Sequence, residues 1–489
     1  MFSKGLLGYL PANILQGLVG FATLMALTRL LSPTDYGSYV LALGVSSVAY
    51  TLVFTWLEAA MARFYPAERL DDPEAPILYG TVYRLFIVVA GAFLLVAGVG
   101  LALWPATDPL QRGLKIAIGL GLVSTVPRSL AKLIQEQRRS EGRVAAAAGI
   151  DMLLTGGGFA FAVLFVLGGV KGGAPLLGAG VMACLILPLF AAEDWGRARR
   201  GRFEAEAART YAHFGFPVSL GVVLSIALYT VDRFMIAHYL GEADAGAYHA
   251  GFSIASRVID VLFIWFGAAG VPAMIHALEN GGERGLQAEG RRQLTLMCLI
   301  QFPAVAGLIA VAGPLSSFLI GERLRGPALS ITPLVTVGAL LAGLNNGYFL
   351  LPFTLAKKTR LLVLAMGAPA VANIALNLAL IPRLGLVGAA LAYLLSFLIG
   401  ILTAWGLGGR VMRLPVPVVE LGKIAVAAAL MALGLSWLPA LGTICDLILK
   451  PVVGMLAYGL MVYGFNLGGV RPLVDDQIGR WAPWARAGS

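Results

Sequence analysis

Fourteen stretches of this chain stay apolar for about 20 residues or more, the length a helix needs to cross the hydrocarbon of a bilayer. They fall approximately at 6–31, 36–62, 77–104, 113–134, 144–169, 174–194, 212–239, 245–272, 293–320, 327–355, 360–382, 386–408, 420–439 and 447–467. The largest connections, near 195–211 and 273–292, are short and charged, and none is long enough for a soluble domain. Only 13% of the residues are charged and 58% are hydrophobic, with a mean hydropathy of +0.83. A soluble domain carries roughly 25% charged residues. The expected fold is therefore all-α: a polytopic membrane protein of about 14 transmembrane helices. The first run lacks a small-residue cleavage site and is too long for a secretory signal, so it is expected to remain as a helix.

Lysine and arginine collect on the cytoplasmic side of membrane proteins. With a cytoplasmic N-terminus, 26 of the 36 Lys and Arg fall on the inner face, nine fall on the outer face, and Arg257 lies inside a helix. Both termini are then cytoplasmic. The net charge of +10 has the same origin, because the basic residues sit in short inner loops such as WGRARRGRF. Attraction to anionic lipid follows from such loops, and no nucleic-acid partner is expected. The cysteines, Cys184, Cys298 and Cys445, are far apart and suggest neither a disulfide framework nor a metal site.

The stretch Leu31 to Ala60 recurs without a gap as Leu240 to Ala269. Nine of thirty positions match: Leu31/Leu240, Asp35/Asp244, Gly37/Gly246, Tyr39/Tyr248, Ser47/Ser256, Phe54/Phe263, Trp56/Trp265, Ala59/Ala268 and Ala60/Ala269. Each copy spans an outer loop and the even-numbered helix after it, so the copies share one orientation. This predicts two parallel six-helix lobes with a substrate site between them. The lobes are expected at 1–211 and 212–409, followed by residues 410–489 with helices 13 and 14 and a cytoplasmic tail. Asp35 and Asp244 read as carboxylates accepting the first free N–H groups of helices 2 and 8.

The RLLSPTDYGSY turn after helix 1, GLVGAALAYLLS at 385–396 and the six-six-two plan together resemble the polysaccharide-exporter family of oligosaccharide flippases. That family shares a superfamily with lipid II flippases and multidrug extruders. The resemblance implies export of an undecaprenyl-diphosphate-linked oligosaccharide from the cytoplasmic to the periplasmic leaflet of a bacterial inner membrane, for cell-surface polysaccharide synthesis. Polymerase machinery is an implied partner. The acidic-Gly motif near the end of helix 2 in lipid II flippases is replaced here by WLEAAMARFYP, which keeps Glu58 without the glycine.

Where the repeat breaks, helix 8 carries His249, Ser253, Arg257 and Asp260 on one helical stripe; their repeat partners in helix 2 are Val40, Gly44, Val48 and Thr51. A charge as deep as Arg257 or Asp260 costs about 2.5–3.5 kcal/mol, so it must face a wet cavity or a partner. Arg257 is the leading candidate for the substrate's phosphate charge, with Asp260 orienting it, because a guanidinium donates two hydrogen bonds at once. The alternative is an Arg–Asp pair that only neutralises itself.

Ser124, Arg128 and Lys132 of helix 4 form a basic stripe that could receive the headgroup. Arg233 in helix 7, beside Ser225, Tyr229 and Asp232, and Arg84 at the inner interface complete the basic candidates. Glu58, Asp151 and Asp232 are the acids that could carry a coupling ion. No catalytic signature, nucleotide-binding domain, metal-ligand spacing or cofactor loop stands out, so the protein reads as a transporter and not an enzyme. The alternatives of similar fold are a cation-coupled multidrug extruder and a lipid II flippase.

Overall fold

The computed structural model describes the backbone of residues 2–481. It describes their side chains except at 2–10, 224–225, 227–229, 268–269, 473 and 477–481. Ser225 and Tyr229 therefore lie outside the described residues. Within these limits the chain is helical throughout, with no strand.

The helices run α1 (Phe2–Leu30), α2 (Pro33–Val53), α3 (Thr55–Asp71), α4 (Pro76–Leu103), α5 (Pro109–Ser140) and α6 (Val144–Leu167). They continue with α7 (Ala174–Phe190), α8 (Ala192–Arg200), α9 (Ala205–Leu240), α10 (Glu242–Ala310), α11 (Ala312–Leu319) and α12 (Glu322–Leu344). A π-helical turn (Asn345–Phe349) leads into α13 (Leu351–Leu355), α14 (Thr359–Gly408), α15 (Val418–Ser436), α16 (Thr443–Gly464) and α17 (Val470–Trp481). Among the described residues ten helices are long and apolar enough to cross a membrane, or eleven with the bent α7–α8 pair. Two of the ten are interrupted by a glycine in a conformation closed to other residues: Gly282 in α10 (φ 57°, ψ −149°) and Gly385 in α14 (φ 59°, ψ −138°).

By packing, the chain divides into one unit of Met1–Ala247 with Leu319–Leu324, and another of Tyr248–Phe318 with Arg325–Ser489. In the first, an apolar core is built by α3 and α4, closed by Leu133 of α5, Ala198 of α8 and Tyr211 of α9. In the second, the two halves of α10 meet α12 around Ile259, Leu294, Met297, Leu340 and Tyr348. There α15 and α16 pack on the second half of α10, where Tyr458 donates to the Leu299 carbonyl at 2.9 Å.

The expected single span at 36–62 is broken in two at Phe54, and the local chemistry explains why. Phe54 stretches the helix there (φ −117°, ψ −31°) while still donating to the Tyr50 carbonyl at 2.9 Å, and its ring is buried against Phe86 and Phe93. The Val53 carbonyl next to the break accepts from the Trp56 indole at 2.9 Å. The repeat copy in α10 keeps both aromatics yet passes through them as continuous helix. Trp56 is 8% exposed and its partner Trp265 is 72% exposed.

Asp35 does not cap α2. Ser32 does, accepting from the Asp35 N–H at 3.1 Å and donating its hydroxyl to the Asp35 carboxylate at 2.6 Å, a reciprocal arrangement of the capping-box kind. Two residues on, Gly37 lies directly against the backbone of Glu242, and Gly246 against Tyr36 and Gly37. Ser38 adds a short hydrogen bond to the Glu242 carboxylate. A Cβ on Gly37 would overlap the Glu242 carbonyl, which is backbone and cannot swing aside. Gly37→Ala should therefore cost about 1–3 kcal/mol as an overpacking change and lower the unfolding temperature of the purified protein. Gly17→Ala, where nothing lies within 4 Å of the added methyl, is the matched control and should leave it unchanged.

Candidate functional site

The first unit brings four of the expected site residues together. Helices α5 and α6 form an antiparallel hairpin around the turn at Gly142, and Lys132 and Asp151 stand at similar distances on either side of it. Their side chains meet in an ion pair of 2.8 Å, and the Lys132 ammonium also donates to Gln135 Oε1 at 2.8 Å. The pair is uneven: Asp151 is nearly buried, whereas the Lys132 side chain remains 37% exposed.

Glu58 lies in the first turn of α3, just past the break at Phe54, and accepts from the Tyr50 hydroxyl at 2.6 Å. Lys132, Glu136 and Arg139 are its charged neighbours. One turn back along α5, the half-buried Arg128 has the Tyr39 and Tyr50 hydroxyls as its electrostatic neighbours. Among the described residues Arg128 has no carboxylate and no hydrogen-bond partner. Ser124, third in the expected stripe, is buried against Gly180 of α7 and takes no part.

The other candidates are placed as follows. Arg84 donates to the Gly201 carbonyl at 3.1 Å and ties α4 to the α8–α9 turn. Asp232 of α9 is buried, and Arg233 beside it is half-buried. In the second unit, Arg257 and Asp260 are both exposed along α10 and interact electrostatically. Ser253 of the same stripe is buried. Among the described residues no three His, Cys, Asp or Glu side chains converge as metal ligands.

A second polar network, missed in the sequence, lies at the end of the α5–α6 hairpin. Arg138 is 2% exposed and Asp194 of α8 is fully buried. Arg138 donates to Asp194 at 2.9 Å, to the Phe190 carbonyl at 2.9 Å and to Glu141 at 3.0 Å. Gln137 donates to Asp194 and accepts from the Tyr83 hydroxyl at 3.0 Å. Glu141 also accepts from the Tyr79 hydroxyl and from Arg197. Burial alone would raise the Glu141 carboxyl, but hydrogen bonds from Arg138 and Gln137 outweigh it and hold it below the ordinary value of 4.5. Nearly every donor here is spent within the protein, so the network locks α4, α5 and α8 together. In the Arg128–Lys132 cluster, by contrast, Lys132 is paired with Asp151 but Arg128 has no hydrogen-bond or ion-pair partner among the described residues.

The model of one family, described as polysaccharide biosynthesis protein, matches residues 26–326, more than half of the chain. The chain belongs to that family. No curated protein matches it significantly. Its fold is similar to that of the lipid II flippase MurJ in an inward closed conformation, with a TM-score of 0.75 at 15% identity over 95% of this chain and 99% of that one. An inward-facing multidrug resistance MATE transporter of the MOP superfamily gives 0.60 at 14% identity, over 81% and 95%. The outward-facing form of such a transporter gives 0.55 at 14%, over 83% and 93%. The polytopic all-α architecture expected from the sequence is thus shared with these proteins.

Proposed function

We propose that this family member is a flippase. It moves undecaprenyl-diphosphate-linked oligosaccharide units from the cytoplasmic to the periplasmic leaflet of a bacterial inner membrane, by alternating access, for cell-surface polysaccharide synthesis. The observation that carries this reading is Arg128, a half-buried guanidinium within a spanning helix, unpaired among the described residues and one turn from Lys132. A permanent cation at that depth is costly unless it meets water or an anion. Two cations one helical turn apart suit a diphosphate, whose charge is spread over a similar distance.

In this reading Arg128 and Lys132 hold the headgroup, and Arg257, Asp260 and Arg233 contact it at other stages of the passage. Glu58, Asp151 and Asp232 are the acids available to a coupling ion. The chain is organised as six helices, six helices and two, with both termini cytoplasmic. The polyprenyl tail stays in lipid, since moving it into water would cost about 0.8 kcal/mol per CH₂. Helices α15 and α16 offer it an apolar surface through Val426, Leu430, Met455 and Leu460, all exposed.

Reconstitution tests the proposal. Liposomes carrying the protein and a labelled undecaprenyl-diphosphate-linked oligosaccharide should expose the sugar to an external lectin or glycosidase far faster than protein-free liposomes. Rates equal to protein-free liposomes, or ion-driven efflux of a cationic dye instead, would replace flippase with extruder.

A further inference from the structure

The second unit contains a cleft of about 460 Å³ where the π-helical turn, α13, the end of α14 and the segment before α15 meet. Buried Tyr348 lies at its base, Phe349 and Pro352 line its wall, and Trp405, Arg410 and Arg413 stand around its mouth. Its construction is specific. The π-helical turn spans Asn345–Phe349, and such turns are rare and concentrate at functional sites. The Tyr348 hydroxyl donates to the Pro415 carbonyl at 2.7 Å, tying the irregular segment at 411–417 to the cleft.

The charge around this cleft is one-sided. Arg413 makes one weak bond, from Nε to the Gly409 carbonyl at 3.4 Å. Arg410 has no side-chain partner among the described residues. Neither do Lys357 and Lys358, on the turn that joins α13 to α14 at the same end of the unit, nor Arg360 in the first turn of α14. Among the described residues none of these five cations lies within 4.0 Å of a carboxylate; Glu420, the acid nearest Arg410 and Arg413 in sequence, is engaged by the Gly468 N–H and Lys423. Trp405 of the lining, Leu402 about one turn before it on α14, and Val418 and Val419 at the start of α15 are all more than half exposed. A cationic cleft with an apolar flank matches a ligand with an anionic head and a hydrocarbon tail. The distribution of Lys and Arg assigns this end to the cytoplasmic leaflet, where anionic lipids give basic clusters their counter-ions.

We propose that this cleft binds the phosphodiester headgroup of an anionic membrane phospholipid, with Arg410 and Arg413 on the phosphate and an acyl chain along Leu402, Trp405 and Val418. The guanidinium fork fits phosphate oxygens, and an exposed tryptophan suits the headgroup level of a bilayer. The volume lies in the range of small-molecule sites and is ample for a phosphoglycerol head. This site rests on the membrane reading of the chain and is independent of the flippase assignment.

The test compares full-length protein with Arg410→Gln/Arg413→Gln, both in neutral detergent, by native mass spectrometry and thermal unfolding. Titrants are dioleoyl-phosphatidylglycerol, dioleoyl-phosphatidylcholine and inorganic phosphate. Phosphatidylglycerol should bind wild type and raise its unfolding temperature, and phosphatidylcholine should do neither. The double variant should bind phosphatidylglycerol about tenfold or more weakly, as expected for losing two charge-assisted contacts. Equal binding of the two lipids, or equal phosphatidylglycerol binding by wild type and variant, overturns the proposal. Inorganic phosphate that saturates the effect and displaces phosphatidylglycerol would make this a free-anion site and overturn the lipid assignment. Should the double variant aggregate, Arg410→Gln alone, with the wild-type comparison of the two lipids, gives the same decision.

Discussion

Lys132→Met and Arg128→Ala should each reduce translocation of the lipid-linked oligosaccharide by more than tenfold, while membrane levels of the protein stay near normal. Arg128 has no described hydrogen-bond or ion-pair partner to lose, so its removal leaves nothing unsatisfied, and only a substrate should feel the change. Lys132 is less simple because it also neutralises Asp151 at 2.8 Å. The exchanged pair Lys132→Asp/Asp151→Lys separates its two roles. It keeps an ion pair across the α5–α6 hairpin but moves the ammonium to the side that is nearly buried. If the pair were only structural, the exchange would restore transport. If the partly exposed ammonium meets the diphosphate, the exchange should remain inactive in a well-folded protein. Translocation in reconstituted liposomes and immunoblots of membrane fractions give both readouts. Full transport by Arg128→Ala and Lys132→Met together would remove this cluster from the substrate path. In that case Arg257→Ala, the leading choice from the sequence, becomes the decisive variant.

Asp194→Ala should have the largest effect on folding. It leaves Arg138 2% exposed with its main counter-charge removed and frees the Gln137 amide as well. Breaking one side of a buried pair typically costs about 3–5 kcal/mol, a large share of what a folded unit has to spare. The variant should be recovered poorly and unfold at a markedly lower temperature, and Asp194→Asn should fall between it and wild type. Acid acts on the same network through Glu141. Its folded value is depressed, so its contribution is fully present above the ordinary 4.5 and is lost as pH falls below it. Unfolding temperature measured from about pH 6 down to about pH 3 should fall less steeply in Glu141→Gln than in wild type. A wild-type temperature that Asp194→Ala matches would show the network to be dispensable.

The all-helical membrane architecture could be read from the chain because bilayer thickness sets the length of apolar runs. The site was legible unevenly. Arg128 and Lys132 stood out as cations at helical spacing inside a span. The Lys132–Asp151 pair was not drawn from the sequence, which set the two in different groups, although both stand at similar distances on either side of the Gly142 turn. The Tyr50–Glu58 contact was not legible, because it depends on the break at Phe54, and the repeat copy with the same aromatics does not break. Asp194 and Arg138 were hidden for a different reason. Arg138 lies in a stretch that reads as an inner-face loop and Asp194 closes the expected span 174–194, and only packing of α8 against α4 and α5 buries them together. Asp35 was placed correctly at a helix start but given the wrong part, since Ser32 three residues earlier takes the cap.

The meeting of Gly37 with Glu242 and of Gly246 with Tyr36 and Gly37 has a consequence for how such a chain could arise. Each glycine gives room to the opening turn of the other copy, so one short stretch of sequence serves as both surface and counter-surface. A patch that seats against itself needs no second sequence to evolve before it works. Two identical half-length proteins could have made this contact as a dimer before their genes were joined. Fusion would then have preserved the glycine on both sides while leaving neighbouring positions, such as Val48 and Arg257, to drift apart into separate duties.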